Sequence, residues 1–271
     1  MESSLSGVLP VNPPAPYLGG KRNLSRRLCA LIATIPHHTY VEPFVGMGGV
    51  FLRRTVRPPV EVINDISADV TNLFRIARKH YEPLVDELGW MLSSRDEFER
   101  LRRVDPTTLT DIERAARFLC LQRLSFGGKV TGRTFGVDHR APGRLNVAKL
   151  RGDLRGLRDR LERVTIERLP YADVIRRYDS PATLFYLDPP YWDCEADYGE
   201  GVFARADFER LSDQLAAIAG TFVLSINATP GAREVFARFA LDEVATTYTI
   251  GTAAAGSGKR VGELIVRSVP G

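Results

Sequence analysis

An apolar run that ends at an acid and two prolines constrains this chain more than any other feature of its sequence. The run Leu184 to Leu187 is apolar enough for a buried strand, and Asp188, Pro189 and Pro190 follow it directly. Proline has no N–H to donate to a sheet, so the strand must stop at Asp188 and the next side chains must lie at its carboxyl end. Ligands bind at that end in open α/β sheets. The stretch therefore predicts a buried strand and a ligand site together.

Short apolar strands alternate with amphipathic helices along most of the chain. Residues 1–16 read as a flexible arm, and a helix, the strand TYVEPFV, the glycine turn GMGG and a helix beginning at VFLRR follow. A second strand then ends just before Asp65, and the alternation resumes after Val164. Two β-rich runs, LDEVATTYTI and ELIVRSV, close the chain and predict an antiparallel pair at the sheet edge. This order predicts an α/β fold with a Rossmann-like sheet.

Residues 78–160 interrupt the alternation and predict an inserted domain. A crossover between strands needs one helix, and about 80 residues are far too many. The segment has charged helices and then a Gly-rich, strand-like stretch, so we expect a mainly helical insertion that carries a β-hairpin. The α/β domain would then consist of residues 1–77 and 161–271.

The positive charge of the chain is concentrated in that insertion. The whole chain has a net charge of +4, whereas residues 117–151 contain eight Lys and Arg residues against the single Asp138. Such a cluster is typical either of a solvated basic face or of a surface that binds nucleic acid.

Other features narrow the class of protein. The three cysteines and four histidines lie at no zinc-binding spacing, so we expect no metal site. No apolar run approaches the roughly 18 residues of a membrane span, and the first residues do not resemble a signal peptide. We therefore expect a cytoplasmic protein that is not associated with a membrane.

The glycine turn and the acid after the next strand indicate an adenosine-containing cofactor. Gly46, Gly48 and Gly49 match part of the dinucleotide pattern G-x-G-x-x-G, but Phe51 stands at its third glycine. Asp65 stands 19 residues after Gly46, where a carboxylate can bind both ribose hydroxyls. The turn by itself is a weak signal, because such a glycine cluster is more often only a tight structural turn.

The Asp-Pro-Pro-Tyr turn suits recognition of a planar amine. Asp188 supplies one acceptor, the Pro189 carbonyl supplies a second, and Tyr191 supplies a ring on which the amine's own ring can stack. Acceptors that pull both N–H bonds out of the ring plane localise the nitrogen lone pair, and the carboxylate stabilises positive charge developing on nitrogen. An adenine N6 amine held in this way can attack a sulfonium methyl directly. The alternative is that the prolines only make the turn rigid.

Seven stretches follow one another in the order found in one enzyme family. They are PYLGGKRN (16–23), YVEPFVGMGGVFL (40–52), INDIS (63–67), LPYAD (169–173), YLDPPY (186–191), LSIN (224–227) and GKRVGELIV (258–266). On these stretches the chain resembles the Dam-type, or D12-class, DNA adenine-N6 methyltransferases. The resemblance covers most of the chain outside the insertion and implies a class I methyltransferase sheet with S-adenosyl-L-methionine as cofactor.

The resemblance also implies roles for individual residues. The catalytic motif would be Asp188, Pro189, Pro190 and Tyr191. The cofactor would lie among Tyr17, Gly20, Lys21, Pro43, Phe44, Gly46, Gly48, Asp65, Ile66 and Asp173. The insertion would be the target-recognition domain and would contact double-stranded DNA through Arg123, Lys129, Arg133, Arg140, Arg144 and Asn146. The target adenine would leave the duplex to reach Asp188.

Other functions remain open at this stage. The turn also suits methylation of cytosine N4 or of an exocyclic amine in RNA. A catalytically silent DNA-binding relative would keep the same cofactor pocket, and a dinucleotide oxidoreductase is a weaker alternative. The sequence leaves open the recognised bases, the oligomeric state and whether a cognate restriction endonuclease accompanies the protein.

Overall fold

A seven-stranded, mostly parallel sheet forms the centre of the protein. The computed structural model describes residues 5–21, 23–137, 142–195, 199, 201–248 and 259–268. The strands of the sheet are β2 (Thr39–Glu42), β4 (Val60–Asn64), β5 (Val164–Glu167), β6 (Thr183–Leu187), β7 (Thr221–Asn227), β8 (Ala240–Tyr248) and β9 (Lys259–Arg267). Their order is β5-β4-β2-β6-β7-β9-β8, and β9 runs antiparallel to both of its neighbours, β7 and β8, whereas the other neighbouring pairs are parallel. The predicted α/β fold and the antiparallel pair at the sheet edge are confirmed.

Helices cover the sheet and build the insertion. Around the sheet lie α1 (Ser25–Thr34), α2 (Ala68–Lys79), α7 (Tyr171–Tyr178), α8 (Arg205–Ala217) and α9 (Pro230–Val235). Within residues 78–160 lie α3 (Tyr81–Gly89), α4 (Arg95–Arg103), α5 (Asp111–Leu124) and α6 (Val147–Arg160). Several of these helices are capped by the side chain of the residue that precedes their first turn. Helix α5 begins with a full capping box, in which the side chains of Thr110 and Glu113 each bond the backbone N–H of the other residue.

The order of the strands places a crevice at the middle of the sheet. The chain passes from β2 outwards to β4 and β5, then crosses to the other side of β2 to form β6 and β7. Strand order therefore reverses between β2 and β6, and such a switch point is where open α/β sheets bind ligands. The glycine turn follows β2 and Asp188 follows β6, so the two predicted motifs meet there.

The two faces of the sheet bury separate apolar clusters. Along β6, Leu184 and Tyr186 belong to one cluster, whereas Phe185 and Leu187 belong to the other, and all four are fully buried. Successive side chains of a strand point to opposite faces, so a strand buried on both sides must be apolar throughout. Each of these side chains contributes about 1.5–3 kcal/mol through burial, which fixes where β6 ends and where Asp188 stands.

The insertion packs against the sheet domain rather than standing apart from it. Helices α5 and α6 contact α2, and Phe118 and Leu154 belong to the same cluster as Leu73 on α2. Phe98 and Cys120 belong to a smaller cluster within the insertion. The division into domains at residues 78 and 160 stays a prediction.

The predicted hairpin of the insertion is reduced to a single bridge in the described residues. Ser125 and Phe135 form that antiparallel bridge, and a one-turn 3-10 helix, Phe126–Gly128, follows Ser125. Three glycines in this stretch have positive φ, a conformation that does not continue a regular strand.

Two expectations for the first 60 residues are wrong. The helix expected at VFLRR is only a 3-10 turn, Phe51–Arg53, because the chain then extends into β3 (Val56–Arg57) and reaches two prolines. The arm is not free, since β1 (Ser6–Gly7) pairs antiparallel with β3. Among the described residues, no helix has both the length and the apolar character needed to cross a membrane.

Candidate active site

A large cavity opens at the carboxyl ends of β2, β4 and β6. Its volume is about 1200 Å³, which exceeds the roughly 300–1,000 Å³ of most small-molecule sites. Residues of the insertion also line it, including Arg123, Arg144 and Asp153. From the remainder of the chain come the segments 15–21, 42–47, 64–67, 169–171 and 201–203. The cavity therefore has room for more than one ligand and lies between the sheet and the insertion.

Asp65 closes the glycine turn after β2. Its two carboxylate oxygens accept hydrogen bonds of 2.9 Å from the backbone N–H groups of Gly46 and Ser67. Burial raises the pKa of Asp65 to about 6, although these two N–H donors oppose the shift. A carboxylate has further lone pairs, so Asp65 can still accept hydrogen bonds from a ligand.

Asn64 joins the ends of three strands around the cavity. Its side-chain amide donates to the carbonyls of Pro43 at 2.9 Å and Leu169 at 3.0 Å, and its oxygen accepts from the Leu169 N–H at 2.9 Å. These bonds tie together the segments that follow β2, β4 and β5. Asn64 is buried, so the bonds are protected from competition with water.

Asp188 lies at the end of β6 and lines the cavity. Its carboxylate is 2.7 Å from the Lys21 ammonium and accepts a hydrogen bond from the Ser225 hydroxyl. That hydroxyl also bonds Tyr186 at 2.8 Å. Burial raises the pKa of Asp188 to about 6, and the negative charge of Glu263 adds to the rise, although Lys21 opposes it.

Lys21 connects Asp188 to two further groups. Its ammonium lies 2.6 Å from the Tyr191 hydroxyl and 2.8 Å from a Glu263 carboxylate oxygen. The Tyr191 hydroxyl in turn donates to Glu263 at 2.9 and 3.0 Å. Lys21 was predicted to bind a cofactor, and the structure shows that it pairs with Asp188.

The turn after Asp188 is braced from β7. The side-chain oxygen of Asn227 accepts from the Trp192 N–H at 2.9 Å, and its amide donates to the Trp192 carbonyl at 3.0 Å. Of the catalytic motif, Asp188 and Pro190 line the cavity, whereas Pro189 is buried. The half-buried Tyr191 directs its hydroxyl towards Lys21 and Glu263.

Not all of the residues predicted to bind a cofactor line the cavity. Tyr17, Gly20, Lys21, Pro43, Phe44, Gly46, Asp65 and Ile66 line the cavity. Gly48 does not, because its Cα faces Leu52, whose Cγ would lie 2.8 Å from an added Cβ. Asp173 also lies outside the lining and pairs with the exposed Arg176 on α7. The cofactor roles of both residues stay predictions.

Most of the residues predicted to bind DNA also hold the insertion together. Arg123 donates to the Pro14 carbonyl at 2.7 Å, Arg133 donates to Gln122 at 3.1 Å, and Arg144 donates to the Ser125 carbonyl at 3.2 Å. The side chain of Asn146 caps α6 through the Lys149 N–H.

Among the five predicted contacts that the structure describes, one is a plainly exposed cation. Lys129 lies on the surface, and Arg140 lies outside the described residues. DNA contacts at all six positions stay predictions.

Comparison with known proteins decides the family. The model of the D12 class N6 adenine-specific DNA methyltransferases matches residues 17–250. The chain belongs to this family. The resemblance seen in the motifs is thereby confirmed, as are adenine methylation in DNA and the use of S-adenosyl-L-methionine.

Two curated relatives of this D12 methyltransferase each match more than four fifths of its length. The type II methyltransferase M1.LlaDCHI of Lactococcus lactis subsp. cremoris is 26% identical over 94% of this chain and 95% of its own. The type II methyltransferase M.CviBI of Paramecium bursaria Chlorella virus NC1A is 22% identical over 83% of this chain and 86% of its own. The precorrin 8W decarboxylase of Methanobacterium thermoautotrophicum, a solved structure, has a TM-score of 0.41 and 10% identity over 97% of this chain and all of its own.

Four polar residues of the D12 methyltransferase site had no role in the sequence interpretation. Asn64, Ser225, Asn227 and Glu263 each bond a residue of a predicted motif. All four fall within stretches that carried the family resemblance, namely INDIS, LSIN and GKRVGELIV. A polar residue inside an otherwise apolar strand was the available signal, because a buried polar group needs a partner.

Proposed function

We propose that this D12 methyltransferase modifies the N6 amine of an adenine that is flipped out of a specific duplex sequence, by direct methyl transfer without a covalent enzyme intermediate. The observation that carries the proposal is the position of Asp188, a carboxylate at the switch point of the sheet that faces a cavity large enough for a base and a cofactor. Adenine N6 is inaccessible inside the stacked duplex, so the base must leave the stack to reach this carboxylate.

The cavity has the groups that S-adenosyl-L-methionine requires. Asp65 offers a buried carboxylate to the ribose hydroxyls, and the segment of Tyr17 and Gly20 faces the turn of Pro43, Phe44 and Gly46. When bound, the cofactor supplies an electrophilic methyl group on a positively charged sulfur. The Asp188 carboxylate also lines the cavity, so it would supply a negative charge in the same cavity as that positive sulfur.

Asp188 has two tasks in the proposed reaction. Together with the Pro189 carbonyl it accepts the two N–H bonds of the adenine amine, which localises the nitrogen lone pair. As the new N–CH₃ bond forms and the methyl–sulfur bond breaks, the carboxylate stabilises the positive charge on nitrogen and accepts the proton that nitrogen releases. A pKa of about 6 suits a group that must be ionised at neutral pH and still take up a proton.

DNA recognition is assigned to the insertion. It carries the positive excess of the chain and forms one wall of the cavity through Arg123, Arg144 and Lys149. Basic side chains at such a wall bind phosphates and orient the duplex, whereas arginine and asparagine can also read base edges. This arrangement supports the proposal that the duplex docks against the insertion while the flipped base enters the cavity.

Nucleoside analysis tests the proposal. Purified protein is incubated with mixed-sequence duplex DNA and S-adenosyl-L-methionine labelled in its methyl group, and the digested nucleosides are analysed by mass spectrometry. We expect labelled N6-methyldeoxyadenosine from the wild type and none from Asp188→Asn, which should keep cofactor binding. The control is Asp213→Asn, an exposed aspartate on α8 paired with Arg238. Labelled N4-methyldeoxycytidine, or an active Asp188→Asn variant, would contradict the proposal.

A further inference from the structure

Glu263 is a fully buried carboxylate on β9 that takes no direct part in the proposed methyl transfer. Its side chain is 0% exposed, and in the sheet it stands opposite Asn227, the residue that braces the turn after Asp188. A buried carboxylate is costly unless it is paired and hydrogen-bonded. Glu263 satisfies this condition through the Lys21 ammonium at 2.8 Å and the Tyr191 hydroxyl at 2.9 Å.

Both partners of Glu263 reach the catalytic aspartate. Lys21 lies 2.7 Å from Asp188, and Tyr191 follows Asp188 in the same turn. An ammonium has three N–H donors, so Lys21 can bond Asp188, Glu263 and the Tyr191 hydroxyl at the same time. Glu263 is therefore placed to act on Asp188 without touching a substrate.

We propose that Glu263 is a positioning residue for the methyl transfer, which holds the Lys21 ammonium between two carboxylates and fixes the Tyr191 ring beside the Asp-Pro-Pro turn. The inference rests on the proposed roles of Asp188 and Tyr191. It adds Glu263, which reaches the site from strand β9 and pairs with Lys21 of the N-terminal segment.

The first consequence is electrostatic. If Lys21 paired with Asp188 alone, it would neutralise the carboxylate that must stabilise positive charge on the adenine. Because Glu263 also pairs with the Lys21 ammonium, less of the negative charge of Asp188 is neutralised. The charged or titratable groups that face Asp188 from the surrounding elements are Lys21, Glu42, Tyr186, Tyr191 and Glu263.

The second consequence is geometric. The Tyr191 ring lies under the Lys21 ammonium, 4.3 Å from its centroid, while its hydroxyl bonds both carboxylate oxygens of Glu263. A ring held at its hydroxyl end cannot turn away from the site without losing these bonds. A base that stacks on Tyr191 would therefore meet a surface whose orientation is already set.

The test is Glu263→Gln, which keeps the shape of the side chain and removes its charge. We expect single-turnover methylation to slow by about 10-fold or more, with cofactor binding within about twofold of wild type. The negative charge of Glu263 raises the pKa of Asp188, so its removal should move the acidic limb of the pH–rate profile to lower pH. Loss of packing alone would not move that limb.

The matched control is Glu243→Gln. Glu243 lies on the neighbouring strand β8, pairs with Arg233 and is 49% exposed. Its replacement should change neither the rate nor the acidic limb. Glu263→Asp keeps the charge but shortens the side chain, so its acidic limb should stay near that of wild type while its rate falls.

Coupling to Tyr191 separates positioning from general destabilisation. We expect Tyr191→Phe to slow the reaction of the wild type. In the Glu263→Gln background the same substitution should slow the reaction by a smaller factor, because the contact between the two residues is already altered. If Glu263→Gln does not fold, Tyr191→Phe alone tests the same contact. A wild-type rate in Tyr191→Phe would then overturn the inference.

Other outcomes would also overturn the inference. One is a wild-type rate in Glu263→Gln. The other is a Glu263→Gln variant that is slow but has an unshifted acidic limb, and whose effect on the rate is additive with that of Tyr191→Phe. The proposed function fails on different evidence: no N6-methyladenine from the wild type, or full activity in Asp188→Asn.

Discussion

The aromatic ring of Tyr17 lies against Gly46, so close that a Cβ at position 46 would come within 2.9 Å of the Tyr17 Cε1 atom. Tyr17 belongs to the N-terminal segment, whereas Gly46 belongs to the glycine turn after β2. Gly46 also has φ of +49° and donates its N–H to Asp65. The part of the cavity proposed to bind the cofactor therefore depends on the absence of a side chain at this one position.

Replacement of Gly46 by alanine should damage the cofactor site. The added methyl must displace the Tyr17 ring, and an alanine at positive φ is strained by about 1–3 kcal/mol. We expect at least about a tenfold loss of cofactor affinity by calorimetry, since about 1.4 kcal/mol corresponds to a factor of ten. Gly152→Ala is the control, because a Cβ there meets nothing within 4 Å and alanine stabilises the interior of a helix. Unchanged affinity in Gly46→Ala would exclude this account of the turn.

The activity should be lost as the pH falls through about 6. Asp188 must be ionised to accept the N–H bonds of the amine, and burial raises its pKa to about 6. Below that pH the single-turnover rate should fall about tenfold per pH unit. Asp65 also has a pKa raised to about 6, so cofactor affinity should weaken over the same range. Rates at saturating cofactor isolate Asp188, and a rate that is level from pH 8 to pH 5 would contradict its assigned role.

Glu42 should make the protein less stable as the pH rises. Burial raises the pKa of Glu42 from 4.5 to about 8, although the hydrogen bond from the Tyr40 hydroxyl opposes the rise. The folded state therefore holds this proton more tightly than the unfolded state does. The stability contribution is complete below pH 4.5 and is lost as the pH rises towards 8.

Glu42→Gln should remove that loss, so the Tm of the wild type should decline relative to the variant between pH 5 and 8. A difference of about 1 kcal/mol corresponds to roughly 2–4 °C in a chain of this size. The exposed Glu209, replaced by Gln, provides the control. Parallel curves for the wild type and Glu42→Gln would show that Glu42 does not titrate in this way.

Gln122 should link the insertion to the N-terminal segment that contains Tyr17, a predicted cofactor residue. Its buried amide donates to the carbonyls of Pro16 at 3.1 Å and Gly128 at 2.7 Å, and its oxygen accepts from Arg133. Leucine at this position removes all three bonds, although the Gly128 carbonyl keeps a bond from the Leu18 N–H and Arg133 keeps a bond to the Lys129 carbonyl, so we expect a cost of about 1–3 kcal/mol in total. We expect Gln122→Leu to lower the free energy of unfolding and to weaken cofactor binding, because Tyr17 follows Pro16.

Ser212→Ala is the control for that effect. It removes the bond of a buried hydroxyl to the Val235 carbonyl at 2.9 Å, where neither residue lines the cavity, and should lower stability by about 1 kcal/mol without changing cofactor affinity. Equal cofactor affinities in the two variants would show that Gln122 has only a structural role.

Two basic residues of the insertion should respond differently to substitution. Lys129 is exposed, so Lys129→Ala should leave the Tm unchanged and reduce the slope of log K against log salt by about 0.9 if it binds a phosphate. Arg123 is half-buried between Pro14 and Asp153, so Arg123→Met should lower the Tm. DNA titrations at several salt concentrations measure the slope, and an unchanged slope in Lys129→Ala would remove it from the proposed interface.

Several parts of the fold were predictable because local rules govern them. The end of β6 followed from two prolines after an apolar run, and the edge pair β8 and β9 followed from two β-rich runs separated by a stretch rich in glycine and small residues. The helix expected after the glycine turn failed for a different reason. Pairing of Val56–Arg57 with Ser6–Gly7 extends the chain there, and a contact between segments some fifty residues apart has no local signature.

The sequence by itself determined the fold class and the family and indicated the motif proposed to carry the chemistry, because strand ends, turns and motif order are properties of neighbouring residues. Only the tertiary structure decided which side chains surround Asp188. Strand order brings β9 next to β7 and places the N-terminal segment over the switch point, so Lys21 and Glu263 meet although they lie at opposite ends of the chain. No spacing in the sequence records such a contact, since it depends on the path of the whole sheet.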